Sequence, residues 1–333
     1  MKPNTHNITS INVNGNLSFN GQIIADTFNK YFITVAQNIH VNNCNVHALS
    51  KHENPISYLT RAFNQPFPTI NFKGVSSKEI EDITKLLKTK NSHGYDEIST
   101  NILKSSIYYI SSPLTYICNK MLSSGVFPTR LKFAEVKPIF KKGEKNVTTN
   151  YRPISLLTSF SKIFEKVIYN RIFHHINYNH ILVNEQFGFR HASSTDIASY
   201  NLTKNILSAL NNKLLVGGIF CDLHKAFDCV NHDILLSKVE FYGISGKAKD
   251  LIKSYLQGRC QRTLVDYDSK KYYSEWEIVT DGVPQGSILG PLLFLLYVNN
   301  IPNVISDISN PILYADDTSL IITNSDSQTF EKI

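Results

Sequence analysis

Three aspartates carry most of the chemistry that this sequence could support. Asp222 closes a short apolar run, Val216-Gly217-Gly218-Ile219-Phe220-Cys221, and Asp316-Asp317 separates two others, Pro311-Ile312-Leu313-Tyr314 and Ser319-Leu320-Ile321-Ile322. A strand that ends on Asp222 and a hairpin with Asp316 and Asp317 at its tip can lie side by side in one sheet, which would bring three carboxylates together at one edge. Like charges that close raise one another's pKa. Divalent cations are the natural compensation, and hard oxygen donors suit Mg²⁺. Two such ions about 4 Å apart activate an attacking hydroxyl and stabilise a leaving oxygen in phosphoryl transfer. An Asp-Asp pair alone is most often only a polar turn, so the surrounding sequence decides.

The elements that must position these residues alternate between helix and strand. Ser76 with Glu79 forms a capping-box pattern, and Ile80, Ile83, Leu86 and Leu87 share a face, which predicts a helix over 77–89. A loop over 91–96 and a helix over 99–124 follow, the latter stopped by Gly125 and Pro128. A strand over 136–140, a turn over 141–145 and an extended piece over 151–157 come next. The window 130–152 holds seven basic and two acidic residues. It reads either as a solvated hairpin or as a positively charged flap over phosphates. Helical patterns span 161–178, 195–210, 232–241 and 246–257, and residues 216–222 read as a buried strand. Residues 260–281 alternate like a hairpin. Val283-Pro284-Gln285-Gly286-Ser287 then turns into an apolar helix over 289–299. The first 75 residues are rich in Asn, Ser and Thr and are expected to be a partly ordered lead-in, except for an amphipathic helix over 23–39 (Ile24, Phe28, Phe32, Val35, Ala36, Ile39).

With 333 residues, 42% hydrophobic and 11% aromatic, the chain can bury a substantial core, so disorder is not expected. A net charge of +7 favours a polyanionic partner such as nucleic acid. Cys44, Cys118, Cys221, Cys229 and Cys260 show no C-x-x-C spacing and read as buried free thiols, with Cys221 and Cys229 packing as small apolar side chains beside Asp222. None of the eleven histidines, the His174-His175 pair included, has metalloprotease-type spacing, so all read as surface or core residues. The longest apolar run, 288–298, is broken by Gly290 and Pro291 and falls short of the roughly 20 residues of a membrane span, which makes it a core helix. The polar N-terminus offers no secretory signal, and an intracellular protein of nucleus or cytoplasm is expected.

Beyond composition, Tyr314-Ala315-Asp316-Asp317 resembles the Y-x-D-D signature of reverse transcriptases. Phe220-Cys221-Asp222-Leu223-His224-Lys225-Ala226-Phe227-Asp228 resembles their F-x-D-L-x-x-A-F-D motif, and Pro284-Gln285-Gly286 their P-Q-G segment. Upstream, Asn150-Tyr151-Arg152-Pro153-Ile154-Ser155, Gln186-Phe187-Gly188-Phe189-Arg190 and the Gly94-Tyr95-Asp96-Glu97-Ile98 loop are similar to the non-LTR retrotransposon (LINE-type) branch. The likeness covers about residues 76–323.

That resemblance implies an α+β fold, the fingers and palm of a right-hand polymerase, with an antiparallel palm sheet backed by helices. Its expected division is a lead-in over 1–75, fingers with a helical N-terminal extension over 76–210, and a palm over 211–333. Because the sequence stops soon after the Y-A-D-D hairpin, a missing thumb and a fragment of a longer polyprotein are expected. Carried over by residue, Asp222, Asp316 and Asp317 are catalytic and, with the Leu223 carbonyl, hold two Mg²⁺ ions, for which Mn²⁺ could substitute. Arg152 with Lys141 or Lys137 grips the triphosphate, and Gln285 and Gly286 touch the nucleotide. Phe227 stands where the family places a ring against the sugar, which points to deoxynucleotides, while Asp228 reads as a structural hydrogen-bonding residue. Tyr314, taken to share a strand face with Asp316, and Arg190 fall to the primer and template. The implied partners are an RNA template, a DNA primer and dNTP, with no membrane. Two alternatives stay open: a truncated, catalytically incompetent remnant that only binds RNA, and a reverse transcriptase of another lineage such as an intron maturase.

Overall fold

A computed structural model describes residues 8–43, 55–63, 66–90, 92–305 and 309–330. β1 (Ile11–Val13) and β2 (Asn16–Ser18) form a small hairpin before α1 (Gly21–Asn43), α2 (Pro55–Ala62), α3 (Ser77–Leu86) and α4 (Thr100–Ser124). β3 (Phe133–Phe140) and β4 (Tyr151–Leu157) make the basic hairpin; α5 (Ser159–Tyr178), α6 (Thr195–Asn211) and β5 (Leu215–Asp222) follow. Then come α7 (His232–Phe241), α8 (Lys247–Leu256), β6 (Arg259–Tyr267), β7 (Lys270–Tyr273) and β8 (Glu277–Val279). α9 (Leu289–Val298), α10 (Ile301–Ile305), β9 (Asn310–Tyr314), β10 (Asp317–Asn324) and α11 (Ser327–Phe330) complete the described chain.

Two sheets matter for function. One is antiparallel with the order β5-β10-β9, and the other runs β4-β3-β6-β7 with β8 also on β6. In the second, β3 pairs with β6 in parallel and with β4 antiparallel, so the basic hairpin is continued by strands from the far side of the aspartate motif. The main core gathers apolar faces from α3, α4, α5, α7, α8 and α9, including Ile80, Ile107, Val167, Val239, Tyr255 and Phe294. α9 is apolar all round and buried within it, as its composition requires. Among the described residues no helix is long and apolar enough to cross a membrane.

Local chemistry explains several element ends. Ser76 accepts a hydrogen bond from the Glu79 amide at 3.2 Å, which caps α3. Glu79's own carboxylate, however, pairs with both terminal nitrogens of Arg171, so it fastens α3 to α5 instead of closing a reciprocal box. At the start of α9, Ser287 Oγ accepts from the Gly290 amide at 2.8 Å. Glu165 of α5 takes the two amides before it, its Oε2 accepting from Ile288 at 2.6 Å and Leu289 at 3.3 Å while Ser161 donates to Oε1 at 3.1 Å. Burial pushes the Glu165 carboxyl up, and the amides of α9 and the Arg259 charge oppose that shift.

Three expectations change. The stretch read as a partly ordered lead-in is a packed part of the molecule over residues 8–43. Ile11, Ile24, Phe28 and Phe32 form a second core with Val136, Tyr151 and Val265 of the larger sheet. Phe28 alone, with its ring edge-on to Tyr151 at 4.8 Å, contributes roughly 2 kcal/mol of burial. Polar composition concealed this because the apolar residues sit on only one stripe of α1. Second, β5 is not buried: it is the edge of its sheet, with Ile219 46% and Phe220 68% exposed. Third, the thiols differ. Cys118 is buried, Cys221 is exposed on β5, and Cys229 and Cys260 are half-buried, while Cys44 lies outside the described residues.

Candidate active site

The acidic hairpin turns on two residues. Tyr314 pairs with Asp317 across β9 and β10, leaving Ala315 and Asp316 as the connection, with Ala315 at φ +58°. On its other side β10 pairs antiparallel with β5, in a register that sets Asp317 opposite Asp222. Strand and hairpin therefore converge at the acidic end. Directly opposed like charges are destabilising, and their Cβ atoms stand about 5 Å apart in such a pair. Consistent with that, the Asp317 carboxyl is pushed up, first by partial burial and then by the charges of Asp316 and Asp222, with Lys141 opposing. Because Asp316 belongs to the turn, strand alternation does not put it on one face with Tyr314.

Asp222 and Asp316 open into a cleft of about 510 Å³, with Leu223, Lys141, Lys142, Arg152, Lys225, Phe227 and Gln285 also in its lining. Asp317 sits beside it, exposed. Asp222 and Asp316 come together at the cleft, while among the described residues no three His, Cys, Asp or Glu side chains are grouped so that they could hold a metal ion. In type and place the residues suit a hard divalent cation, with carboxylates from β5 and from the β9–β10 turn at one cleft and mutual repulsion that a cation would relieve.

The strained turn is held from outside. Gln186 is buried, and its side chain closes both sides of the Ala315 peptide unit: Oε1 accepts from the Ala315 amide at 2.9 Å, and Nε2 donates to the Ala315 carbonyl at 3.3 Å. Oε1 also accepts from the Gly188 amide at 2.7 Å. The segment runs beside β9, with Phe187 donating to the Leu313 carbonyl and Leu313 to the Glu185 carbonyl, each at 2.8 Å. A Cβ at Gly188 would fall 2.2 Å from the Ala315 nitrogen, so only glycine allows this approach. The Gln-Phe-Gly-Phe-Arg stretch is thus the fastener of the acidic turn, a role that spacing in the sequence does not reveal.

The other expected residues divide. Arg152 and Lys141 line the cleft. Lys137 does not; it pairs with Asp266 of β6 at 2.5 Å. Arg190 also turns away, its Nη1 donating to the carbonyls of Val183 at 2.5 Å and Gln186 at 3.2 Å. Phe227 lines the cleft with its ring stacked on Phe294 (centroids 4.5 Å apart, 17° between planes) and edge-on to Phe189 at 5.8 Å. Lys225 is a cleft residue that sequence reasoning did not single out. Its Nζ donates to the Tyr151 carbonyl at 2.8 Å and lies 5.6 Å from the centre of the Tyr31 ring of α1. Burial lowers its pKa. Gly286 has φ +117°, and a Cβ there would meet the Ser155 carbonyl at 2.8 Å, so the Pro-Gln-Gly turn packs tightly on β4.

The site thus sets aspartates of adjacent strands at one end of a sheet, beside a cleft lined by lysines, an arginine and the Phe227 ring. The family model of "Reverse transcriptase (RNA-dependent DNA polymerase)" matches residues 139–333, more than half of the sequence, and the chain belongs to that family. It is 35% identical over 270 residues to a protein named probable RNA-directed DNA polymerase from transposon BS of Drosophila melanogaster, covering 77% of this chain and 29% of that relative. It is 32% identical over 256 residues to the corresponding protein from transposon X-element of the same fly, covering 77% and 27%. A third relative, the RNA-directed DNA polymerase from mobile element jockey of Drosophila funebris, is 32% identical over 230 residues, covering 69% and 25%. The chain therefore spans under a third of the length of these relatives.

Proposed function

We propose that this chain carries the polymerase centre of a non-LTR retrotransposon reverse transcriptase and extends a DNA primer with dNTPs on an RNA template. The sheet β5-β10-β9 with α6 is the palm. The basic hairpin β3–β4 and the helices before it are the fingers, and β6 to β8 cross from the palm half of the chain to complete the fingers sheet. One observation carries the reading: Asp222 and Asp316, from distant parts of the sequence, open into the same cleft as Arg152, Lys141, Phe227 and Gln285.

In this reading Asp222 and Asp316, with Asp317 alongside and the Leu223 carbonyl adjoining, would hold two Mg²⁺ ions. Bound there, such ions would supply acidification of an attacking hydroxyl and neutralisation of phosphate charge. The protein supplies the rest. Arg152 offers a planar fork to the phosphate oxygens and Lys141 a point charge. Phe227 stands against the sugar and Gln285 beside it, while Tyr314, at the start of the turn, adjoins the primer end. Lys137, outside the cleft lining and paired with Asp266, is left out of the triphosphate grip.

The test is primer extension. The chain is given a DNA primer annealed to an RNA template, Mg²⁺ and dNTPs, one omitted in turn. Extension should stop one position before each template base that needs the omitted nucleotide. No extension, or extension that ignores the template, overturns the proposal.

A further inference from the structure

Beneath the cleft lies a polar pair that the nucleotide reading leaves unexplained. Asp228 closes the motif that begins at Phe220, and its carboxylate is buried. Gln285 Nε2 donates to its Oδ1 at 2.9 Å, while Oδ2 is buried with no partner. Backbone bonds lock the two segments together: the Val283 amide donates to the Phe227 carbonyl and the Gly282 amide to the Val230 carbonyl, each at 2.9 Å. His232 adds an imidazole contact with the Gly282 carbonyl at 2.8 Å. From the other side the Ser155 amide donates to the Gln285 carbonyl at 2.8 Å. The Gln285 main chain is therefore fixed against β4, and its side chain against Asp228.

Gln285 lines two spaces at once. One is the cleft of Asp222 and Asp316; the other is a small cavity of about 50 Å³ whose lining includes Asp228, His232 and Ser155. An ionised carboxylate only accepts hydrogen bonds, so it is the amide nitrogen of Gln285 that faces Asp228. The carbonyl end is then the one left for the cleft. Burial pushes the Asp228 carboxyl up to about 6, against the Gln285 bond and the Lys225 charge, so the group is ionised at pH 7.5 and above.

We propose that Asp228 is a positioning residue for nucleotide binding: it holds the Gln285 amide by its nitrogen and so presents the amide oxygen, an acceptor, to the incoming nucleotide. This rests on the assignment of the cleft to dNTP. Reversal of the amide would offer a donor instead, and the nucleotide would lose a contact of one polarity.

The test is a double-mutant cycle read in primer extension, with KM for dNTP and kcat measured separately. Asp228→Ala should raise KM about tenfold, the worth of one charge-assisted hydrogen bond, and leave kcat within about twofold. In a Gln285→Ala background the same change should raise KM no further, and Asp228→Asn, which keeps an acceptor, should stay within about threefold of the parent. If Asp228→Ala does not fold, Asp228→Leu removes the acceptor while keeping the volume. Additive effects of the two substitutions, or a loss confined to kcat, overturn the proposal. If the parent chain extends no primer, the cleft assignment has failed, and the orientation is read directly from the ¹⁵N-labelled Gln285 side-chain amide. That signal should shift in Asp228→Ala or Asp228→Leu, and an unmoved signal overturns the Asp228–Gln285 pairing too.

Discussion

Replacing Asp316 with asparagine lowers primer extension by about 10³-fold, or about 4 kcal/mol of transition-state stabilisation. The substitution keeps the shape of the side chain and removes only its charge, and Asp316 is one of the two carboxylates that open directly into the cleft. Stability should move the other way. Asp316 is among the charges that push the Asp317 carboxyl up, so neutralising it relieves repulsion in the hairpin and the melting midpoint should not fall. A large loss of rate without loss of stability identifies a functional group. Rate and melting midpoint falling together would instead mark Asp316 as part of the scaffold of the turn.

Phe227→Ala should cut the preference for deoxynucleotides over ribonucleotides by about 10²-fold, through gain of ribonucleotide use more than loss of dNTP use. A wall discriminates by clash, and an extra hydroxyl forced against a fixed ring costs about 1–3 kcal/mol. The Phe227 ring is such a wall because Phe294 stacks on one face and Phe189 meets it edge-on, which leaves it no room to swing aside. The comparison is kcat/KM for dCTP and CTP opposite the same template base. Since removing the ring also takes packing from Phe294, Phe227→Val provides a milder truncation with the same expected direction. Unchanged discrimination in both variants would reduce Phe227 to an ordinary core aromatic.

Much of the site was legible because its chemistry is local in sequence. Apolar runs that end on aspartate announce strands with acidic exits, and the β10–β5 register does bring Asp317 opposite Asp222. Helix boundaries followed from caps and glycines, as at Ser76 and Gly125. What stayed hidden depends on contacts between segments. Nothing in the basic window separates Lys141 from Lys137. Their different surroundings arise because β6, more than a hundred residues on, pairs with β3 and brings Asp266 beside Lys137. The exposure of β5 is not legible either, because an apolar run looks the same in a central strand and at an edge. Gln186 stands within a family signature, and only the approach of Gly188 to Ala315 explains why a buried amide stands there. The packing of α1 on β3, β4 and β6 was likewise outside reach, since its apolar stripe does not say what it covers.

Everything proposed for the cleft depends on Asp222 and Asp316 sharing a divalent cation. Binding of Mn²⁺ in the presence of a dNTP, followed by the loss of its free-ion paramagnetic resonance signal, tests this without any need for turnover. The parent chain should bind the ion, Asp222→Asn and Asp316→Asn should each weaken binding by at least about tenfold, and Lys137→Ala, remote from the cleft, should leave it unchanged. Equal affinity in the parent and in both aspartate variants would contradict a shared metal site.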